Sequence, residues 1–158
     1  MVLRLYARRY AGARPVCIDR GEGRKITASV KTWVNECNLA YFIGPLRDCD
    51  LQLQTEELLQ QLRARYPVTL QSDEYSYGYL LNWELEIKGR PNYGGLHTDR
   101  QLIDLDDDPE AAAEFAVWYR TQIPSRYKLC IFHDSSDQVF EITPIITEEE
   151  LLLQLYSD

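Results

Sequence analysis

The chain has 158 residues, 45% of them hydrophobic and 27% charged, with a formal net charge of −8 at pH 7. That apolar content is enough to offset ordering entropy, so wholesale disorder is excluded, and a domain of this size buries roughly 70% of its unfolded surface without staples. A net-acidic composition disfavours nucleic acid as a partner, and no stretch approaches the ~20 apolar residues of a membrane span.

Charge is unevenly spread. Residues 1–31 hold Arg4, Arg8, Arg9, Arg14, Arg20, Arg24, Lys25 and Lys31 against Asp19 and Glu22, a balance of +6, while the rest of the chain carries −14. Either the basic segment neutralises acidic strands within the molecule, or the acidic body meets a basic partner. Charge of this kind speaks to association rather than to fold.

In chain order, residues 2–10 are interrupted throughout by arginines and read as a strand. No signal-peptide core follows, so a cytoplasmic location is expected. A turn at 11–15, a short strand at 16–18 and a break at 21–23 come next. Residues 25–43 fit a hairpin, with β-formers from Ile26 to Val34 and a second strand at 39–43. They also fit a helix stopped by Gly44-Pro45, but β-branched residues and two asparagines favour the hairpin. Residues 55–66 predict a helix with Leu58, Leu59 and Leu62 as its stripe, ended by Pro67.

Residues 75–87 alternate strictly, with Tyr75, Tyr77, Tyr79, Leu81, Trp83, Leu85 and Ile87 on one face. Gly78 marks a bend or bulge, residues 88–95 read as a turn-rich loop, and residues 96–105 return as one strand. Asp108-Pro109 caps and starts a helix to Ile123, stopped by Pro124. Strands at 127–132 and 139–142 flank a turn. Thr147 with Glu150 forms a capping box for a helix over 148–156. The expected fold is one α+β domain over 1–158, mainly an antiparallel sheet with three helices (55–66, 109–123, 148–156) packed on one side.

Chemistry-bearing residues are few. Cys17, Cys37, Cys49 and Cys130 make no short-spaced pair, so they read as free thiols rather than zinc ligands or a disulfide framework. The two histidines, His97 and His133, lie near Asp99 and Asp134 in sequence. If they converged they would make a divalent metal site or a histidine–carboxylate base, though no spaced metal motif supports this. Ser135-Ser136-Asp137 are ordinary turn residues. A nucleophile elbow, a phosphate loop and a dinucleotide fingerprint are all missing, so no cofactor is expected.

Asp104, Asp106, Asp107 and Asp108 form the densest acidic run. It does not match the calcium loop of an EF-hand, and Asp108 has a capping task. Its ordinary reading is a solvated loop and its sharper reading is a contact surface for a basic protein. Among eleven tyrosines, Tyr75, Tyr77 and Tyr79 read as the rim of the core, and Tyr93 as an exposed aromatic suited to protein binding.

The expected function is a non-enzymatic, inhibitor-type protein that binds a basic protein partner through Asp104, Asp106, Asp107 and Tyr93. In bulk character alone it is like immunity proteins that neutralise toxin nucleases. The alternative is a small metal-dependent hydrolase built on His97/Asp99 and His133/Asp134. A third reading is a subunit of a larger assembly held by its mixed charge.

Overall fold

The computed structural model describes residues 40–47, 49–71 and 78–157. The strands expected at 2–10, 16–18 and 26–34, together with Cys17, Cys37, Tyr75 and Tyr77, lie outside the described residues. The elements are β1 (Ala40–Pro45), α1 (Thr55–Arg65), β2 (Val68–Leu70), β3 (Tyr79–Ile87), β4 (Arg90–His97), β5 (Ile103–Asp106), α2 (Pro109–Gln122), β6 (Leu129–His133), β7 (Val139–Ile142) and α3 (Glu148–Tyr156). The fold is α+β, with the seven described strands in one antiparallel sheet ordered β2-β3-β4-β5-β1-β6-β7. The Gly44-Pro45 end of β1 continues a strand, so the helical reading of this stretch fails where it is described.

Each helix forms where its ends are satisfied and its stripe is buried. Asp108 accepts hydrogen bonds from the Glu110 and Ala111 amides, and Pro109 fills the first helical position of α2. The Thr147–Glu150 capping box opens α3. Leu58 and Leu62 of α1, Phe115 and Tyr119 of α2, and Leu151 and Leu155 of α3 are buried in one core. Trp83, Leu85, Ile87, Leu96, Ile103, Leu105, Tyr41, Ile43, Ile131, Leu129 and Ile142 join them from one face of the sheet. The three helices thus cover a single face, as the patterning implies.

Two expectations about the long hairpin are corrected. The loop read over 88–95 is only the two residues Lys88 and Gly89, both with positive φ (52° and 73°), the backbone of a tight hairpin turn. The strand read over 96–105 is two strands. A turn at 98–101 separates β4 from β5, closed by Asp99 Oδ1 accepting from the amides of Gln101 and Leu102. The Gly94-Gly95 pair looked like a turn but lies within β4, where side chains would collide. A Cβ on Gly94 would strike the Asp104 carbonyl and lie 3.1 Å from Trp83 Nε1. A Cβ on Gly95 would lie 2.5 Å from the Leu81 carbonyl and 2.6 Å from Tyr79 Cδ1. Each glycine therefore gives an aromatic ring room to lie across the strand, Trp83 on the helix-covered face and Tyr79 on the other.

The third correction concerns Tyr79 itself. The register slips by one residue between Tyr79 and Leu81, so Tyr79 pairs with His97 while Leu81 pairs with Leu96. A one-residue bulge reverses which face a side chain takes. Leu81 packs on the core, and Tyr79 turns to the opposite face.

Candidate functional site

The second face of the sheet carries most of the polar chemistry. β3, β4, β5 and β1 lay Glu84, Tyr93, Asp106 and Ala40 in one row across the strands. Asn82, Gly95, Asp104 and Phe42 form the next row, and Phe132 of β6 extends it. The acidic run is thereby split. Asp104 and Asp106 point to this face, Asp107 lies past the end of β5 against β6, and Asp108 caps α2.

In the first row the Tyr93 ring is 39% exposed. Its backbone amide donates to Asp106 Oδ2 at 2.7 Å, and the Glu84 carboxylate beside its hydroxyl pushes the phenol up from its ordinary range. Burial pushes the Asp106 carboxyl up. The amide of Tyr93 opposes that shift, and the neighbouring Asp104, Asp108 and Asp107 add to it. An aromatic ring thus stands between two carboxylates, one of which is held at a cost by its own surroundings. Tyr93 and Asp106 were both candidates from sequence. Glu84 was not, since only the hairpin register places it opposite Tyr93.

In the second row Tyr79 donates to Asp104 Oδ2 at 2.6 Å, and burial pushes the Tyr79 hydroxyl far up. His97, only 4% exposed, packs at a tilt against Tyr79 with ring centroids 4.6 Å apart and lies 6.2 Å from Phe42. Its Nε2 is 3.7 Å from Asp104 Oδ1, too long for a hydrogen bond, and among the described residues neither ring nitrogen has another partner. Phe42 stacks in turn on Phe132 at 5.3 Å. Asp104 therefore belongs to a half-buried aromatic patch rather than to an open acidic loop.

His133 sits on the opposite, helix-covered face, across from Tyr41 in the β1–β6 register. Its Nε2 lies 3.1 Å from Asp107 Oδ1, and its Nδ1 lies 2.7 Å from Ser135 Oγ. The two histidines thus project from opposite faces and do not converge, so the paired-histidine metal site is not formed. Asp99 is spent on the β4–β5 turn, and the Asp134 amide donates to the Ala40 carbonyl. Among the described residues no group of three or more His, Cys, Asp or Glu side chains is placed to hold a metal ion. Cys130 is buried and Cys49 half-buried.

In comparisons with known proteins, no family model, no curated protein and no solved structure matches this chain. No helix among the described residues is long and apolar enough to cross a membrane. The class that fold and site define is an acidic α+β protein with an aromatic and acidic sheet face.

Proposed function

We propose that this chain binds a basic protein partner through the face built by Glu84, Tyr93 and Asp106, as an inhibitor-type or adaptor protein. The observation that carries the reading is the exposed Tyr93 ring held between two carboxylates from neighbouring strands. A tyrosine of this kind supplies rigid amphipathic contact area at low entropic cost. A cation brought to the row offsets the burial and the neighbouring carboxylates that raise Asp106, and the acidic surface steers such a partner during encounter. Asp107, at the end of β5, extends the negative field around the edge of the sheet.

The test is capture from a lysate of the source cells at low salt by the wild-type chain and by a Glu84→Gln/Tyr93→Ala/Asp106→Asn variant. The expected outcome is a stoichiometric basic protein on the wild type, released as salt rises and absent from the triple variant with unchanged circular dichroism. Equal capture by both forms, or an acidic captured protein, overturns the assignment.

A further inference from the structure

A cavity of about 490 Å³ opens beside the end of β6, lined by Tyr41, Asp107, His133, Ser135, Gln138 and Leu155 among others. That volume falls in the range of small-molecule sites. Tyr41 and Leu155 give it an apolar wall, while Asp107 and the adjoining Asp137 repel anions.

The hydrogen bonds within it fix the state of the histidine. The Ser135 backbone amide can only donate, and it points at His133 Nδ1 at 3.2 Å. Nδ1 therefore carries the lone pair, and the Ser135 hydroxyl, 2.7 Å away, donates to the same atom. The ring proton then lies on Nε2 and is given to Asp107 Oδ1 at 3.1 Å. Tyr41 packs on the imidazole with centroids 4.8 Å apart and holds its plane. Carboxylate, imidazole and serine hydroxyl are thus joined in one chain of hydrogen bonds. It ends on an exposed hydroxyl at a cavity. This is the arrangement that activates a serine, recognised by geometry rather than by sequence order.

We infer that Ser135 is a base-activated nucleophile toward small uncharged esters, with His133 as general base and Asp107 as the residue that positions the imidazole. In the step, Ser135 Oγ forms a bond to the acyl carbon and its proton passes to His133 Nδ1. The ester C–O bond breaks, and the alcohol leaves with that proton. Water then repeats the sequence on the acyl-serine: its proton goes to Nδ1, the acid is released, and the serine recovers its hydrogen. The chemistry needs no metal and uses neither Asp99 nor Asp134. Apart from Asp107 it shares no residue with the Tyr93 surface.

The probe is an alkyl fluorophosphonate, which reacts by forming the Oγ–P bond and expelling fluoride, with the serine proton taken by His133. The full chain is incubated with it and analysed by intact mass and peptide mapping. The expected result is a single adduct on Ser135, forming at least about a hundred-fold faster than on the urea-unfolded chain, the lower side of what a positioned base supplies. The Ser135→Ala variant, altered only at an exposed turn, loses the adduct. Asp107→Ala slows labelling, and Asp107→Glu restores part of the rate. Labelling that is no faster than in the unfolded chain, that spreads over other hydroxyls, or that is indifferent to His133→Gln in a folded variant overturns the inference.

Discussion

Replacing Arg120 tests how the end of α2 is held. Arg120 is 5% exposed and forms no ion pair with a carboxylate among the described residues. Its guanidinium donates to three carbonyls, those of Tyr127 at 2.6 Å, Ile123 at 2.7 Å and Pro124 at 2.9 Å. Burial pushes its pKa down from the ordinary arginine value, so the three carbonyls act as the counter-dipoles of a largely desolvated cation. Hydrogen bonds to a charged group contribute about 1.5–3 kcal/mol each, but these three share one guanidinium and do not add. Arg120→Met keeps the aliphatic packing and orphans the carbonyls of Ile123 and Tyr127, while that of Pro124 still accepts from the Tyr127 amide. Ile123 and Tyr127 are buried residues and Pro124 is exposed, so two acceptors lose their partner where water reaches poorly. At about 1–3 kcal/mol for each such orphan, the expected loss is about 2–6 kcal/mol. That is a large part of the about 5–15 kcal/mol that holds a domain of this size. Urea unfolding, followed by far-ultraviolet circular dichroism and tryptophan fluorescence, reads the change as a shift of midpoint at constant slope. Arg120→Lys, one point charge in place of a fork, recovers less than half. A loss below about 1 kcal/mol for Arg120→Met would show that the carbonyls are paired without the arginine, and would refute the reasoning.

Two further outcomes follow from the same geometry. Gly95→Ala places a Cβ 2.5 Å from the Leu81 carbonyl, which is backbone and cannot swing aside, and 2.6 Å from the Tyr79 ring. The expected cost is about 1–3 kcal/mol by thermal or urea unfolding, the scale of overpacking. The Asp106 carboxyl is raised in the folded chain, so the native state holds its proton more tightly than the unfolded state does. Its contribution to stability is complete at low pH and is lost as pH rises through the folded value. Asp106→Asn, which still accepts from the Tyr93 amide, is therefore expected to be more stable than the wild type at neutral pH. The gain is less than about 1 kcal/mol, given partial screening, and it vanishes on acidification. A pH-independent difference in urea midpoint would contradict it.

The Tyr93 surface and the Ser135 cavity lie at the same end of the sheet but on different faces. Asp106 and Asp107 are consecutive residues pointing to opposite sides, one toward Tyr93 and the other toward His133. Asp106→Asn is thus expected to lower partner capture and leave serine labelling unchanged, whereas Asp107→Ala slows the labelling.

Local patterning determined the helices and most of the strands. Thr147 with Glu150, Asp108 with Pro109, and the alternation from Leu81 to Ile87 carry their own instructions, because caps and periodicity act over a few residues. Tyr93 and Asp106 were legible as candidates from residue type and loop context. Their adjacency was not, and neither was the part played by Glu84, since cross-strand neighbours are fixed by register rather than by separation along the chain. The face of Tyr79 was decided by a single bulged residue, and the task of Gly94 and Gly95 by rings that approach from other strands. The role of Arg120 arises only when the chain beyond α2 folds its carbonyls back onto the guanidinium. The two histidines read as possible partners because each has a carboxylate close by in sequence. The sheet puts them on opposite faces and gives His133 a carboxylate 26 residues away. Short-range stereochemistry is written in adjacent residues, whereas a site is a meeting of side chains whose distance depends on every turn and bulge between them.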